Sequence, residues 1–527
     1  MSGPEKPSIL APLRVPTYRA IWSANVVSNV GTLMQQVGAA WLMTSLTTST
    51  LLVGLVQTAG TLPIFLVGLV AGALADLVER KKLLIWAQGW MLLMAALLGV
   101  LTLFHLTTPH VLLGLTFAIG LGAAINQPAW LAAVQDIVPK PLVASAVSLN
   151  SIAFNMARAV GPALGGFVVA AAGPAMAFFS NAASYLATIL AIGSWKPKPV
   201  EHRLSEDILG AIRAGVRYLL HAPRLQAPII RSIAFNLCAS AVWPLLPLLA
   251  RDVLKTTAVG YGSLLAMFGL GSVVAAVFLP RLRSLFALDL LLGAGALLSA
   301  AAFFGLWHCR TVWQAGGLLF FAGIAWVGVL VNFNVAVQTS VPDWVRGRAL
   351  SFYLLAFQGV IALDGALWGW LAGRIGIQAS FGVAGAGLVV GLVLIRFFPL
   401  VIDETIDLRP STLWPDAHQD FDAHPDDGPV LVTIEYRVAP ENLAEFRRIM
   451  ILVRERRLRD GARRWRLYQD AQDPQRLIEL FRVDSWAEHL RQHQRTTVQD
   501  RNIEAAAHAL HQGPDRPKIQ HYFGLEE

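Results

Sequence analysis

Ionisable side chains are scarce in this chain. Of its 527 residues only 14% are charged while 55% are hydrophobic, which excludes an ordinary water-soluble globule for most of its length. Cysteine is nearly absent: Cys238 and Cys309 are the only two, and nothing in their placement suggests a disulfide framework or a metal site. No GxxxxGK[ST] loop occurs, so direct use of ATP through that device is excluded. No nucleophile constellation or metal triad is evident either, and no cofactor is expected. The N-terminus, MSGPEKPSILAPLRVPTYRA, is polar and proline-broken, and the apolar segment after it is interrupted by Asn25, Asn29, Gln35 and Gln36; it does not read as a cleavable signal peptide.

Long apolar runs are what the chain does have. They recur from Ile21 to Leu400, each long enough at ~1.5 Å per residue to cross a ~30 Å hydrocarbon layer as a helix. Twelve spans are expected, over residues 21–45, 51–75, 83–104, 110–135, 142–171, 174–195, 227–250, 258–280, 286–307, 311–338, 347–373 and 377–400. The net charge of +8 does not point to nucleic acid, because the basic residues lie where membrane topology would put them. Arg80, Lys81, Lys82, Lys140, Lys196, Lys198, Arg203, Arg213, Arg217, Arg224, Arg281, Arg283, Arg346 and Arg348 fall in or beside alternate loops, and only Arg251, Lys255, Arg310 and Arg374 fall in the others. Both chain ends are therefore expected on the cytoplasmic side of the inner membrane.

A repeat is hidden in the second half. VQDIVPKPLVASAVSLNSIAFNMARAVGPALGG (134–166) aligns without a gap on the stretch from Val337 to Gly369, with Val134, Gln135, Pro139, Ala146, Ser148, Phe154, Leu164 and Gly166 meeting identical residues. Six spans per copy is an even number, so the copies cross the membrane in the same sense and form two bundles, 21–195 and 227–400, with substrate between them. Residues 1–20 are a cytoplasmic N-terminal segment. Residues 196–226 connect the halves and include an amphipathic stretch, SEDILGAIRAGVRYLLHAP, expected to lie on the membrane surface.

Three stretches carry a resemblance to the major facilitator superfamily over about 400 residues. GALADLVERKK (72–82), after the second span, is similar to its loop motif at Gly72, Asp76, Arg80, Lys81 and Lys82, with Glu79 where a glycine is usual. ARAVGPALGG (157–166) resembles the glycine-proline motif of the fifth helix, found mainly in exporters. With IWSANVVSNVGTLMQQVGAAWLMTSL it resembles the branch that contains the enterobactin exporter. The resemblance implies that spans 2 and 11, and 5 and 8, meet across the two halves. It also implies that Asp76 caps the cytoplasmic start of span 11, with Arg80 and Gly72 in the same gate.

Glycines at three- or four-residue spacing let membrane helices approach closely. Gly161, Gly165 and Gly166 with Pro162 do this on span 5; Gly68 and Gly72 on span 2, Gly262 and Gly269 on span 8, and Gly365, Gly369 and Gly373 on span 11 are the matching faces. Arg158 lies about 24 Å along its span, too deep to snorkel easily, and needs an acid, carbonyls or water. Asp364, the only acid in the middle of any span, is the candidate for proton coupling. Spans 1, 4, 7 and 10 are expected to line the path, through Asn25, Asn29, Gln36, Asn126, Gln127, Trp130, Asn236, Trp243, Trp326, Asn332, Asn334 and Gln338. Amides and indoles without fixed charge suit a bulky amphipathic solute, and part of this set would serve as interhelical glue.

The last stretch is different in kind. Residues 401–428 are acidic and read as a hydrated linker. From 429 to 527 the pattern is βαββαβ, a ferredoxin-like plan: strands over VLVTIEYRV, RWRLYQDA, RLIELFRV and KIQHYFG, with helices between. DSWAEHLRQHQRTT resembles the antibiotic-biosynthesis monooxygenase-like family of dimeric α/β barrels, which implies sheet-edge pairing into a homodimer, or a ligand pocket. Trp486, His489 and His493 share a helical face, and the two histidines have metal-pair spacing, but no third ligand is evident.

The fold class expected is thus an all-α polytopic membrane protein of twelve spans with a C-terminal α+β domain. The function expected is export of a small siderophore- or drug-like compound across the lipid bilayer by alternating access, in antiport with protons. Two rivals are an importer of the same fold and a membrane-anchored enzyme or sensor acting through residues 429–527.

Overall fold

The computed structural model describes residues 8–196, 215–400, 411, 424 and 427–524. Of the amphipathic stretch 205–223 the first part, to residue 214, and most of the acidic linker lie outside the described residues; residues 215–220 are helical. By packing, the chain divides into two compact units: residues 1–202, 230–333 and 354–399, and residues 203–229, 334–353 and 400–527.

The helices follow the apolar runs closely. They are α1 (Pro16–Leu46), α2 (Thr50–Leu77), α3 (Arg80–Leu103), α4 (Pro109–Ile137), α5 (Val143–Ala172), α6 (Pro174–Gly193), α7 (Pro223–Ala239), α8 (Val242–Leu248), α9 (Ala258–Leu285), α10 (Leu288–His308), α11 (Val312–Thr339), α12 (Asp343–Ile375), α13 (Ile377–Gly391) and α14 (Leu394–Phe397). Among the described residues eleven helical segments are long and apolar enough to cross a membrane. The first helix, α1, is not among them: it has 31 residues, but its amides and serines dilute its apolar content. Span 7 is not one helix. It breaks between α7 and α8, with a π-helical turn over Leu249–Val253, in a stretch where Pro244 and Pro247 each remove a backbone donor.

The repeat extends past the aligned stretch. Gly173 ends α5 at φ +82° and Gly376 ends α12 at φ +92°, a conformation that favours glycine, and the next helix begins directly after each. In the first unit α1 packs on α5 and α6, α2 on α4, and α3 on α4 and α6, with α10 on α13 in the second repeat. Polar bonds tie these helices where no water competes. Tyr18 donates to the Ala146 carbonyl at 3.0 Å, and Asn181 donates to Gln35 at 2.6 Å and to Tyr185 at 3.0 Å.

In the second unit, β1 (Val430–Arg437), α15 (Leu443–Asp460), β2 (Arg464–Gln469), β3 (Arg476–Val483), α16 (Trp486–Arg495), α17 (Val498–Ala509) and β4 (Lys518–Phe523) follow in order. The four strands form an antiparallel sheet in the order β2-β3-β1-β4. Alternation sets its faces: Val430, Val432, Ile434 and Tyr436 are buried with Phe446, Met450 and Val453 of α15 and Phe481 of β3. Each such side chain contributes roughly 1.5–3 kcal/mol by leaving water. Ser485 caps α16, and Thr497 with Asp500 forms a reciprocal capping box at the start of α17.

Candidate functional site

Two seams of glycine hold the repeats together. On the α5–α9 seam, a Cβ built at Gly166 would lie 2.5 Å from the Ala258 carbonyl oxygen and 3.0 Å from Gly262 Cα. One built at Gly262 would meet the Pro162 carbonyl at 2.5 Å, and one at Gly269 the Arg158 carbonyl at 2.7 Å. The α2–α12 seam is as tight. Gly54 and Gly365 each face the other's carbonyl, a Cβ at Gly369 would lie 2.8 Å from the Thr50 carbonyl, and Thr50 Oγ1 donates to the Gly369 carbonyl at 2.7 Å. Only glycine permits backbones to approach this closely.

The structure redistributes two glycine faces read from sequence. Gly161 and Gly165 turn toward Leu33 and Met34 of α1, while Pro162 and Gly166, one position round the helix, meet α9. Gly68 and Gly72 meet nothing within 4 Å, and Gly54, about four turns before Gly68 on α2, is the seam residue instead. Both seams are therefore shut near the connections at 46–50, 172–174, 253–258 and 375–377. Toward the other end of α2, the small-residue face is open among the described residues.

Asp364 lies on α12 beside the broken span. It is fully buried, accepts a hydrogen bond from Ser240 Oγ, and its Oδ1 has no hydrogen-bond partner among the described residues. Ser240, just past the end of α7, ends a polar ladder on that helix: its single hydroxyl proton is shared between the Asp364 carboxylate and the Asn236 carbonyl, 2.5 Å away, and Asn236 donates to Ser232 Oγ at 3.0 Å. Trp368 closes the site from α12, donating to the Leu237 carbonyl at 2.9 Å. No cation pairs with Asp364 among the described residues. Arg158 is elsewhere, with its guanidinium 5.3 Å from the centroid of the Phe154 ring, a cation–π contact that the sequence reading did not include.

The remaining nominated residues divide. Trp243 and Trp326 form an aromatic cluster with Phe268, in edge contacts at centroid distances of 5.1 and 5.9 Å from Trp243. Phe235 and Phe333 extend it. Asn126 accepts from Gln88 at 3.1 Å, and Asn332 accepts from Arg283 at 2.7 Å, so both are interhelical ties. Trp130 packs in the core beside Ala129 and Ala133, against Tyr18 and Val134. Asn25 and Asn29 are half-buried, Gln36 and Gln127 exposed, and in the second unit Gln338 donates to Asn334 at 2.5 Å. Arg80 pairs with Asp136 at 2.6 Å, a partner the loop motif did not reveal. The side chain of Asp76 lies outside the described residues.

Sequence comparison bears on what such an arrangement belongs to. The profile of a family described as "Transmembrane secretion effector", within the major facilitator superfamily, matches residues 7–527. The chain belongs to this family. This secretion-effector family member is similar to the enterobactin exporter EntS of Salmonella choleraesuis (strain SC-B67), 28% identical over 76% of this chain and 96% of the relative. It is also similar to the staphyloferrin A transporter of Staphylococcus aureus (strain NCTC 8325 / PS 47), 24% identical over 70% of this chain and 92% of that one. A solved POT family transporter in complex with 5-aminolevulinic acid superposes with a TM-score of 0.62 at 12% identity, over 76% of this chain and 99% of the other. A bacterial homologue of the human lysosomal transporter Spinster gives 0.58 at 15% identity, over 73% and 97%. The secretion-effector chain is thus a multi-span membrane transporter of the major facilitator type.

The second unit of this transporter holds a histidine group that sequence spacing only half showed. His489 and His493 are joined by His521 of β4, whose Nε2 lies 2.9 Å from His489 Nε2. Among the described residues no cluster has the geometry to hold a metal ion. Burial, then the neighbouring His493 and His521, push His489 down to about 2, and burial with the Arg457 charge takes His493 down to about 4. The rings are neutral when folded and would protonate when unfolded, so stability is full above about pH 6.5 and falls on acidification toward pH 4. At pH 5 each ring withholds about 2 kcal/mol. Hydrogen exchange of the 486–495 and 518–523 amides in the intact protein should therefore quicken strongly between pH 7 and pH 5 after correction for intrinsic rates. His489→Phe should remove part of that dependence.

Proposed function

We propose that this chain exports a small amphipathic compound, siderophore- or drug-like, by alternating access coupled to proton antiport. The observation that carries the reading is the pair of glycine seams, tight along one half of the repeats and open toward the other end of α2. A carrier with a central path must have one end shut at a time. The names of the relatives, an enterobactin exporter and a staphyloferrin A transporter, support a siderophore-like cargo. The aromatic cluster around Trp243 and Trp326 supports one with planar rings. Asp364 supports the proton, because a buried carboxylate without a cation is costly unless it can be neutralised.

On this reading all twelve spans cross the inner membrane and both chain ends are cytoplasmic, following the basic loops. The shut ends of the seams then face away from the cytoplasm. Asp76, Arg80 and Gly72 form the gate that closes in the opposite state. Residues 429–527 form a ferredoxin-like domain, supported by the βαββαβ order and the sheet order β2-β3-β1-β4.

The test is uptake into inside-out membrane vesicles of enterobactin, staphyloferrin A and aromatic drugs. Accumulation that requires an acidic vesicle interior and collapses with a protonophore is the expected result. Accumulation only in right-side-out vesicles would make the chain an importer and overturn the proposal.

A further inference from the structure

The second unit contains a cavity of about 1200 Å³ that the transport reading does not use. Its walls carry eight arginines and two carboxylates, Asp484 and Glu488. Both carboxylates are already taken. Glu488 is bonded by Arg217 and Arg495 at 2.7 Å and by Arg491 at 2.9 Å, and Asp484 is paired with Arg463 at 2.6 Å. The arginines hold Glu488 below the usual carboxylate range although its burial pushes the other way.

Positive charge is left over. Arg464 and Arg466 project from the same face of the edge strand β2, two residues apart, and Arg454 from α15; none has an acidic partner among the described residues. Like charges gathered on one concave wall repel one another, and a concave wall focuses their field. Guanidinium groups bind carboxylate and phosphate oxygens bidentately, which is what such a group of forks is shaped to do. Tyr468, on the same face of β2, and Trp344 stand in the wall and offer ring faces or edges, while the Trp465 ring turns to the other side of the sheet and donates to Glu479 at 2.9 Å. The volume exceeds what an inorganic ion fills and suits a ligand of nucleotide size or somewhat larger.

We propose that this cavity is a binding site for a polyanionic small molecule that carries a planar ring. The oxyanions pair with Arg454, Arg464 and Arg466, and the ring stacks on the aromatic wall. The same oxyanion chemistry is offered by a soluble ligand and by an anionic lipid headgroup, and the lipid composition of the assay separates the two.

The full-length protein in nanodiscs of zwitterionic lipid would be titrated with ATP, tripolyphosphate and adenosine, following tryptophan fluorescence and heat. ATP should bind tightest, tripolyphosphate about tenfold more weakly, and adenosine at least about 100-fold more weakly, with ATP affinity falling as salt rises. The double variant Arg464→Ser/Arg466→Ser should weaken ATP by about 30-fold or more, two charge-assisted pairs being lost. Arg516→Ser, in the loop before β4 and outside the cavity, should bind as wild type, which guards against a general effect of removing surface charge. Adenosine binding as well as ATP and tripolyphosphate, no binding of either polyanion, or a double variant indistinguishable from Arg516→Ser would each overturn the site. Loss of ATP binding in nanodiscs of anionic lipid, restored by the zwitterionic lipid, would assign the site to a headgroup; unchanged binding in both would assign it to a soluble anion.

Discussion

Asp364→Asn should reduce gradient-driven accumulation in inside-out vesicles by about 100-fold while leaving exchange of labelled for unlabelled substrate intact, near the upper end of coupling energies of about 1–3 kcal/mol. The distinction matters because a buried acid can be structural. Asparagine has nearly the shape of aspartate, and its carbonyl oxygen can still accept the hydrogen bond from Ser240, so the ladder Ser232–Asn236–Ser240 on α7 has no reason to collapse. What asparagine cannot do is take up and release a proton. Exchange needs only the two conformations and a binding site, whereas accumulation also needs a charge that differs between them. If exchange and accumulation fall together, Asp364 holds the fold and the proton goes elsewhere. If neither falls, the carboxylate is a satisfied buried group and the coupling reading fails for it. Ser240→Ala is the companion experiment: it leaves the carboxylate with no hydrogen-bond donor from α7, and should shift the pH at which accumulation is half-maximal without abolishing it.

Helix limits were legible because a membrane crossing has a minimum length and few residue types satisfy it. Even so, the break after Ala239 was not, since Pro244 and Pro247 can sit inside a kinked membrane helix as easily as end one. The side chains that matter were harder to assign, for a geometric reason. Adjacent positions on a helix point about 100° apart. Gln35 turns to Asn181 of its own bundle, whereas Gln36, one step round the helix, is exposed. The same single-step ambiguity separates Gly165, which faces α1, from Gly166, which faces α9. His521 was missed for a different reason. It comes to His489 only through the register of β4 against β1, with His521 opposite Val432, and no spacing along the chain records that. Asp364 and Arg158 stand out in the sequence as charges within apolar runs, but the groups that meet each one, Ser240 and the Phe154 ring, are generic residues with no motif.

Leucine in place of Gly166 or Gly369 should trap the transporter with its presently shut end open, and should cut transport by about 100-fold as the two-state balance is lost. A leucine there would have to occupy space already held by backbone atoms of Ala258 and Gly262, or of Thr50 and Leu51. Backbone cannot turn aside as a side chain can, so the helices must separate or the state must be abandoned, at a cost of about 1–3 kcal/mol or more for overpacking. Replacing Cys238 and Cys309 by alanine leaves no native thiol, so a single cysteine at Thr58, which faces Gly365 across the α2–α12 seam, can report the opening. Its labelling by a membrane-impermeant maleimide from the extracytoplasmic side should rise in Gly369→Leu. Gly72→Leu is expected to do the reverse. Gly72 now faces open space, and a leucine there costs nothing in this state. If that face closes against the other repeat during alternation, the leucine obstructs the opposite state alone, and labelling at Thr58→Cys should fall below that of the parent. Opposite responses from the two glycines would show that α2 carries two seams used in turn. Labelling in Gly72→Leu equal to that of the parent would mean that Gly72 is ordinary surface, and that alternation closes somewhere other than along α2.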